Sequence, residues 1–197
     1  MTRDARRECA MRNRTQQALG KWTDLLVRSR EEADCLGARN AILGLVVTQG
    51  HVFGPAAEFV EACLSTVTEA DLDNLGLGYA LDVVSEIVDG EPDQYEVARG
   101  NTGIVSQCRD IVARYSEKLK WMTTSRHGFV VLGALELLWS VTPGDASLAS
   151  LATDVSSRAL TQPYPGVRSG LNNLLSEIIG ADHGESSGTR TPGQAGT

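Results

Sequence analysis

The sequence predicts an all-α fold of seven or eight helices, stacked as antiparallel pairs or closed into a bundle. Three observations predict it. Apolar residues recur at helical spacing along nearly the whole chain, and no stretch alternates convincingly with period two. The apolar set makes up 42% of residues but aromatics only 5%, which suits aliphatic helix-on-helix packing. Three inner stretches, 73–88, 126–139 and 168–179, also look alike, each ending in an apolar seam. Their starts lie about 53 and 42 residues apart, near the two-helix repeat period of about 40–47. At 197 residues the chain can bury roughly two-thirds of its unfolded surface in one domain.

The elements follow in order. Residues 4–19 form a polar, basic helix, after which Trp22, Leu25 and Leu26 begin a short apolar face. Ala38, Ala41, Ile42, Leu45 and Val46 mark a stronger helix, broken by Gln49-Gly50-His51 and Gly54-Pro55. Pro55 pre-sets the first turn of the next helix, which carries Phe59, Val60, Cys63, Leu64 and Val67 on one stripe. Thr68-Glu69-Ala70-Asp71 has the shape of a capping box and opens a helix from Leu72 to Val88. Asp89-Gly90-Glu91-Pro92 ends that helix, with Gly90 expected in a left-handed cap. Residues 91–103 are a loop, and 104–121 the next helix. Thr123, Thr124 and Ser125 offer capping hydroxyls to the most apolar helix, 126–141, stopped by Pro143-Gly144. Leu148, Leu151 and Val155 mark another helix, and Val167, Leu171, Leu174, Leu175 and Ile178 the last. Residues 181–197 are rich in Gly, Ser, Thr and Pro, hold no large apolar residue, and cannot offset their ordering entropy. The organisation is a basic helical arm over 1–30, a helical repeat domain over 31–180 and a disordered tail over 181–197.

Two segments carry a resemblance. Pro165-Gly166-Val167-Arg168, followed by Leu171 and Leu174-Leu175, resembles the second-helix pattern of bacterial HEAT-like repeat proteins, in which a turn proline precedes Val-Arg. Gln49-Gly50-His51-Val52-Phe53, followed by Pro55-Ala56-Ala57, is similar to a His-Gln-Gly-Thr-Val-Tyr segment of the same family. The sequence departs from the pattern at Thr48, Phe53 and Tyr164, where the family has His, Tyr and Asp. The likeness covers roughly residues 35–180. It implies an armadillo-type α-solenoid that serves as a binding surface and acts as a scaffold.

Charge narrows the function classes. The net charge is −7, which disfavours a general nucleic-acid binder because that task needs clustered cations. The distribution is uneven: residues 51–100 hold eleven acidic residues against Arg99 alone, while residues 1–30 carry an excess of five positive charges. Arg3, Arg6, Arg7 and Arg14 recur near helical spacing on that first helix. The N-terminus has no apolar stretch of signal-peptide type. The longest nearly uncharged apolar run, 128–139, is interrupted by Glu136 and falls short of the roughly 20 residues of a membrane span. The expected compartment is the cytoplasm, with no membrane partner. Cys9, Cys35, Cys63 and Cys108 are too scattered for a zinc site or a disulfide framework and read as small buried hydrophobes.

Few residues point to chemistry. Gly76-Leu77-Gly78 lacks the third glycine and the preceding strand of a dinucleotide fingerprint, so it reads as close helix packing. His51, His127 and His183 are too few and too dispersed for a metal cluster, and no nucleophile-elbow motif accompanies them. The sequence therefore assigns no catalytic residue, metal or cofactor. The expected function is non-enzymatic: a binding module that masks or holds a basic protein partner. Its contact residues would be the turn residues Gln49 and His51 together with Glu69, Asp71, Asp73, Asp82, Glu86 and Asp89. The alternative is a nucleic-acid enzyme of the DNA glycosylase type, which some HEAT-like folds support. The strongly anionic middle of this chain works against the phosphate contacts such an enzyme needs.

Overall fold

The computed structural model describes residues 3–161 and 164–185. Within them the chain forms ten α-helices: α1 (Arg3–Arg28), α2 (Glu32–Val46), α3 (Ala56–Thr66), α4 (Leu75–Val88), α5 (Gln94–Ala98), α6 (Ile104–Arg114), α7 (Ser116–Met122), α8 (Gly128–Val141), α9 (Ala146–Ser156) and α10 (Pro165–Glu185). The all-α class is thus the observed one. A three-stranded ribbon of β1 (Val47–Thr48), β2 (His51–Val52) and β3 (Glu91–Pro92) is the sole sheet among the described residues.

The helices pack in two rows. α2, α4, α8 and α10 touch in that order, while α1, α3 and α6 form the second row. The rows meet where α1 packs on α2 and α4 and where α6 packs on α8, while α7 packs on α8 and α9 on α10. The three look-alike stretches of the sequence are therefore the spatially consecutive helices α4, α8 and α10. α4 is the hub, touching α1, α2, α3, α6 and α8. One continuous core, from Leu19 to Ile178, runs through both rows.

Close approach at the hub depends on Gly76 and Gly78. A Cβ on Gly76 would lie 1.7 Å from the Leu26 carbonyl oxygen, and one on Gly78 would lie 2.6 Å from the Phe129 ring. The close-packing reading of Gly76-Leu77-Gly78 is the observed one. Tyr79, one residue on, meets Phe129 edge-to-face at 5.1 Å between ring centroids.

Several local expectations are corrected. α1 does not pause near residue 19 but continues to Arg28, burying Leu19, Leu26 and Val27 while Leu25 stays exposed. The helix that carries the basic residues is thus packed into the body along its second half. The side chains of residues 3–14, including Arg3, Arg6, Arg7 and Arg14, lie outside the described residues. The expected helix over 104–121 is two, separated at Tyr115, whose backbone N–H bonds both the Ile111 and Val112 carbonyls.

The capping box at Thr68 is present: the Asp71 carboxylate accepts from the Thr68 N–H and hydroxyl at 2.9 and 2.7 Å. It closes a 3-10 turn, Glu69–Asp71, and α4 begins later, after Asn74. Gly90 is not left-handed. A Cβ there would come within 2.8 Å of the Gly50 oxygen and 2.7 Å of Val52, so its service is to let the ribbon approach α4. Thr123 and Thr124 donate back to the Lys120 and Trp121 carbonyls of α7. Of the expected capping hydroxyls, only Ser125 turns toward α8, accepting from the His127 N–H at 2.9 Å. α10 runs to Glu185, so residues 181–185 of the expected tail are helical, and 186–197 lie outside the described residues.

Candidate functional site

The ribbon and the end of α4 build the first part of the site. Gln49 and Gly50 have φ of 52° and 78°, and β1 pairs antiparallel with β2 through Val47 opposite Val52 and Thr48 opposite His51. Positive φ at both central residues is the signature of a two-residue hairpin turn whose twist matches its strands. β3 adds in parallel, with His51 opposite Glu91 and Val52 opposite Pro92. Alternation across so short a ribbon sends Val47 and Val52 inward and leaves Thr48, His51 and Glu91 as an exposed row. The Glu91 N–H donates to the Gly50 carbonyl at 2.8 Å, which fastens the turn beside the C-terminal end of α4.

The second part is the outer side of α4. Asp82, Glu86 and Asp89 are spaced by four and three residues, so they share one helix face. Arg39 of α2 reaches across to them. Its Nε and Nη2 lie 2.8 and 2.7 Å from Asp82 Oδ2, and Nη2 also pairs with Glu86 Oε1. The Asp89 side chain makes no hydrogen bond or ion pair with a described residue. Glu136, the lone carboxylate of apolar α8, faces the same group. Burial, and then the charges of Asp82 and Asp89, push its carboxyl up to about 7. A carboxylate confined among like charges loses favourable solvation and gains repulsion, and both effects favour the protonated form.

The eight residues expected to act together fall into two groups at opposite ends of α4. Gln49, His51, Asp82, Glu86 and Asp89 lie toward its C-terminal end and the adjoining ribbon. Glu69, Asp71 and Asp73 precede its N-terminus, and the fourteen residues of α4 span about 20 Å at 1.5 Å per residue. Two members of the second group are structural. Asp71 is buried and holds the capping box. Asp73 Oδ1 accepts from the Arg126 N–H at 2.9 Å and lies 3.1 Å from Ser125 Oγ, tying the α7–α8 turn to the start of α4. Glu69 is exposed, with no side-chain hydrogen bond to a described residue.

Three residues with side chains useful in catalysis meet at this second end, but in a turn. Ser125 Oγ lies 2.7 Å from the Leu72 carbonyl, and its contact with His127 is through the backbone N–H. The imidazole Nδ1 of His127 is buried without a partner among the described residues. Burial holds its pKa below the ordinary value, partly offset by Asp73. Elsewhere an open groove of about 520 Å³ runs along the surface where α3 and α6 pack together. Its Glu61 is already engaged by Arg114 at 2.7 Å and by the Tyr115 hydroxyl at 2.6 Å.

Sequence reasoning missed three participants. Arg39 pairs with residues 43 and 47 positions away, a contact that no local pattern reveals. Glu136 did leave a signal, as a carboxylate inside the most apolar helix. α5 left a weaker one, because its five residues fall within what reads as a loop. Among the described residues no three His, Cys, Asp or Glu side chains are grouped to hold a metal ion. None of the described helices is long and apolar enough to cross a membrane.

In comparisons with known proteins no family model matches the chain, and neither does any curated protein or solved structure.

Proposed function

We propose that this chain is a non-enzymatic, HEAT-like helical module of the cytoplasm that holds a positively charged protein partner. Its contact surface is the acidic C-terminal end of α4 with the adjoining ribbon. One observation carries the reading. Asp82, Glu86, Asp89 and Glu136 converge from two helices, and Arg39 is the one cation bonded to them among the described residues. Such a surface attracts cations over a Debye length of about 8 Å at physiological salt and favours fast, salt-sensitive association. Gln49 and His51 flank it on an exposed hairpin, whereas Asp71 and Asp73 support the fold at the far end of the helix.

The test is affinity capture by the full chain, followed by binding measurements on the purified captured protein. Replacing Asp82, Glu86 and Asp89 together with Lys should weaken binding at least tenfold. Raising NaCl from 50 to 300 mM should weaken the wild type as well. Unchanged binding by the charge-reversed variant defeats the acidic-face reading. Tight binding of duplex DNA containing an abasic site would replace it with the glycosylase-type alternative.

A further inference from the structure

α5 is a helix that buries none of its residues. A five-residue helix has no stability of its own, because helix nucleation is unfavourable and apolar packing normally compensates for it. Polar bonds hold this one instead. The Asp93 side chain accepts from the Tyr95 N–H at 2.8 Å, and the Asp93 N–H donates to the Val52 carbonyl of the ribbon at 3.0 Å. Glu96 takes the Gly54 N–H on one carboxylate oxygen at 3.1 Å and the Asn101 amide on the other at 2.9 Å. These contacts fix a segment that adds nothing to the core.

What the segment holds outward is apolar. Tyr95 is 64% exposed and Val97 47%, the two most exposed large hydrophobics among the described residues. Arg99 stacks over the Tyr95 ring at 5.4 Å, which restrains the ring without covering it. The surroundings are acidic: Asp89, Glu91, Asp93 and Glu96 precede Arg99 over eleven residues, and Arg109 reaches only the Val88 carbonyl at the base of the segment. Tyr95 and Val97 are two positions apart on α5 and so leave it on different sides. Tyr95, pre-ordered by its stacking with Arg99 in an otherwise acidic stretch, has the make-up of an interface anchor.

We propose that α5 carries the anchor of the partner-binding surface: Tyr95 enters an apolar recess on a protein whose surrounding surface is positively charged. This inference rests on the acidic-face reading above and names the part of the partner that the surface takes.

The experiment uses the full chain with a benzophenone photocrosslinker at position 95, and at exposed Ser150 of α9 as a control. The captured protein is identified, purified and titrated against the wild type, Tyr95→Ala and the Asp82, Glu86, Asp89 charge reversal. We expect a position-95 adduct, absent at position 150, whose cross-linked peptide lies on a net-positive surface. Tyr95→Ala should weaken binding by about tenfold or more with an unchanged circular dichroism spectrum, since α5 buries nothing. The proposal is overturned by no adduct, an equal adduct at 150, an adduct with a second copy of this chain, or a neutral or acidic partner. It is also overturned if Tyr95→Ala changes binding less than twofold while charge reversal abolishes it, an outcome that leaves the acidic face standing. Loss of binding with Tyr95→Ala but not with charge reversal removes the acidic face, and the partner's positive charge with it.

Discussion

Gly76 sits so close to Leu26 that no side chain fits between them: a Cβ would lie 1.7 Å from the Leu26 carbonyl oxygen and 3.0 Å from that of Ser29. The Gly76 N–H uses this proximity, donating to the Ser29 oxygen at 3.2 Å. The contact joins the end of α1 to the first turn of α4, and α4 in turn meets both neighbours in its row. Position 76 therefore sets how closely the N-terminal helix can pack on the hub.

Gly76→Ala should be severe because its obstacle is backbone and cannot rotate away. We expect a loss of about 3 kcal/mol or more, in the range of overpacked core substitutions, measured by urea unfolding. Gly37, inside α2, has nothing within 4 Å of its missing Cβ. Gly37→Ala should stabilise by about 0.5–1 kcal/mol through helix propensity alone. Equal effects from the two substitutions would contradict the packing described here.

Much of this architecture was legible before the structure. Helical spacing located α2, α3, α4, α6, α8, α9 and α10, and Thr68 with Asp71 showed a capping box because its partners lie three residues apart. The elements that escaped lack such local signals. β1 and β2 are two residues each, too short for alternation to register, and their Gln49-Gly50 turn uses a non-glycine residue at positive φ. α5 has no apolar stripe because no face of it is buried. Within the site, Asp82, Glu86 and Asp89 share a face by spacing alone. That Asp71 and Asp73 lie a helix length away, bonded into turns, follows only from where α4 begins.

Asp71 and Asp89 should accordingly separate folding from binding. Asp71→Ala removes the acceptor of two capping bonds at a buried site and should cost about 1–2 kcal/mol, read as a shifted denaturation midpoint, with partner affinity unchanged once folded. Asp89→Lys alters an exposed side chain with no bonded partner among the described residues. Stability should move by less than about 0.5 kcal/mol, while affinity for a basic partner falls.

The buried thiols should be inert. Burial pushes Cys63 up to about 12, only partly countered by Lys118, and Cys108 up to about 11. At pH 8 the Cys63 thiolate is then about a thousandfold scarcer than in an ordinary thiol. In a Cys9→Ser variant, Ellman's reagent should label Cys35, Cys63 and Cys108 slowly in the native protein and fully in guanidinium. Rapid native labelling of Cys63 would show that α3 opens from the core.

Glu136 should make stability depend on pH near neutrality. Its folded pKa, raised by burial and by Asp82 and Asp89 to about 7 from the ordinary 4.5, means that between those values the folded chain holds a proton which the unfolded chain has released. For this group the sign is opposite to that of an ordinary paired carboxylate. Its favourable contribution is fully present below about pH 4.5 and is lost as pH rises through 7. Because the side chain is half-buried and partly screened, the change across that window should be about 1–2 kcal/mol rather than the full value implied by the shift. Glu136→Gln keeps the shape, removes the titration and should flatten the pH 5–8 stability profile while raising stability at pH 8. Parallel unfolding curves for wild type and variant at pH 5, 6, 7 and 8 decide it: a constant difference across the series would mean that Glu136 is not buried and set against Asp82 and Asp89 as the structure places it.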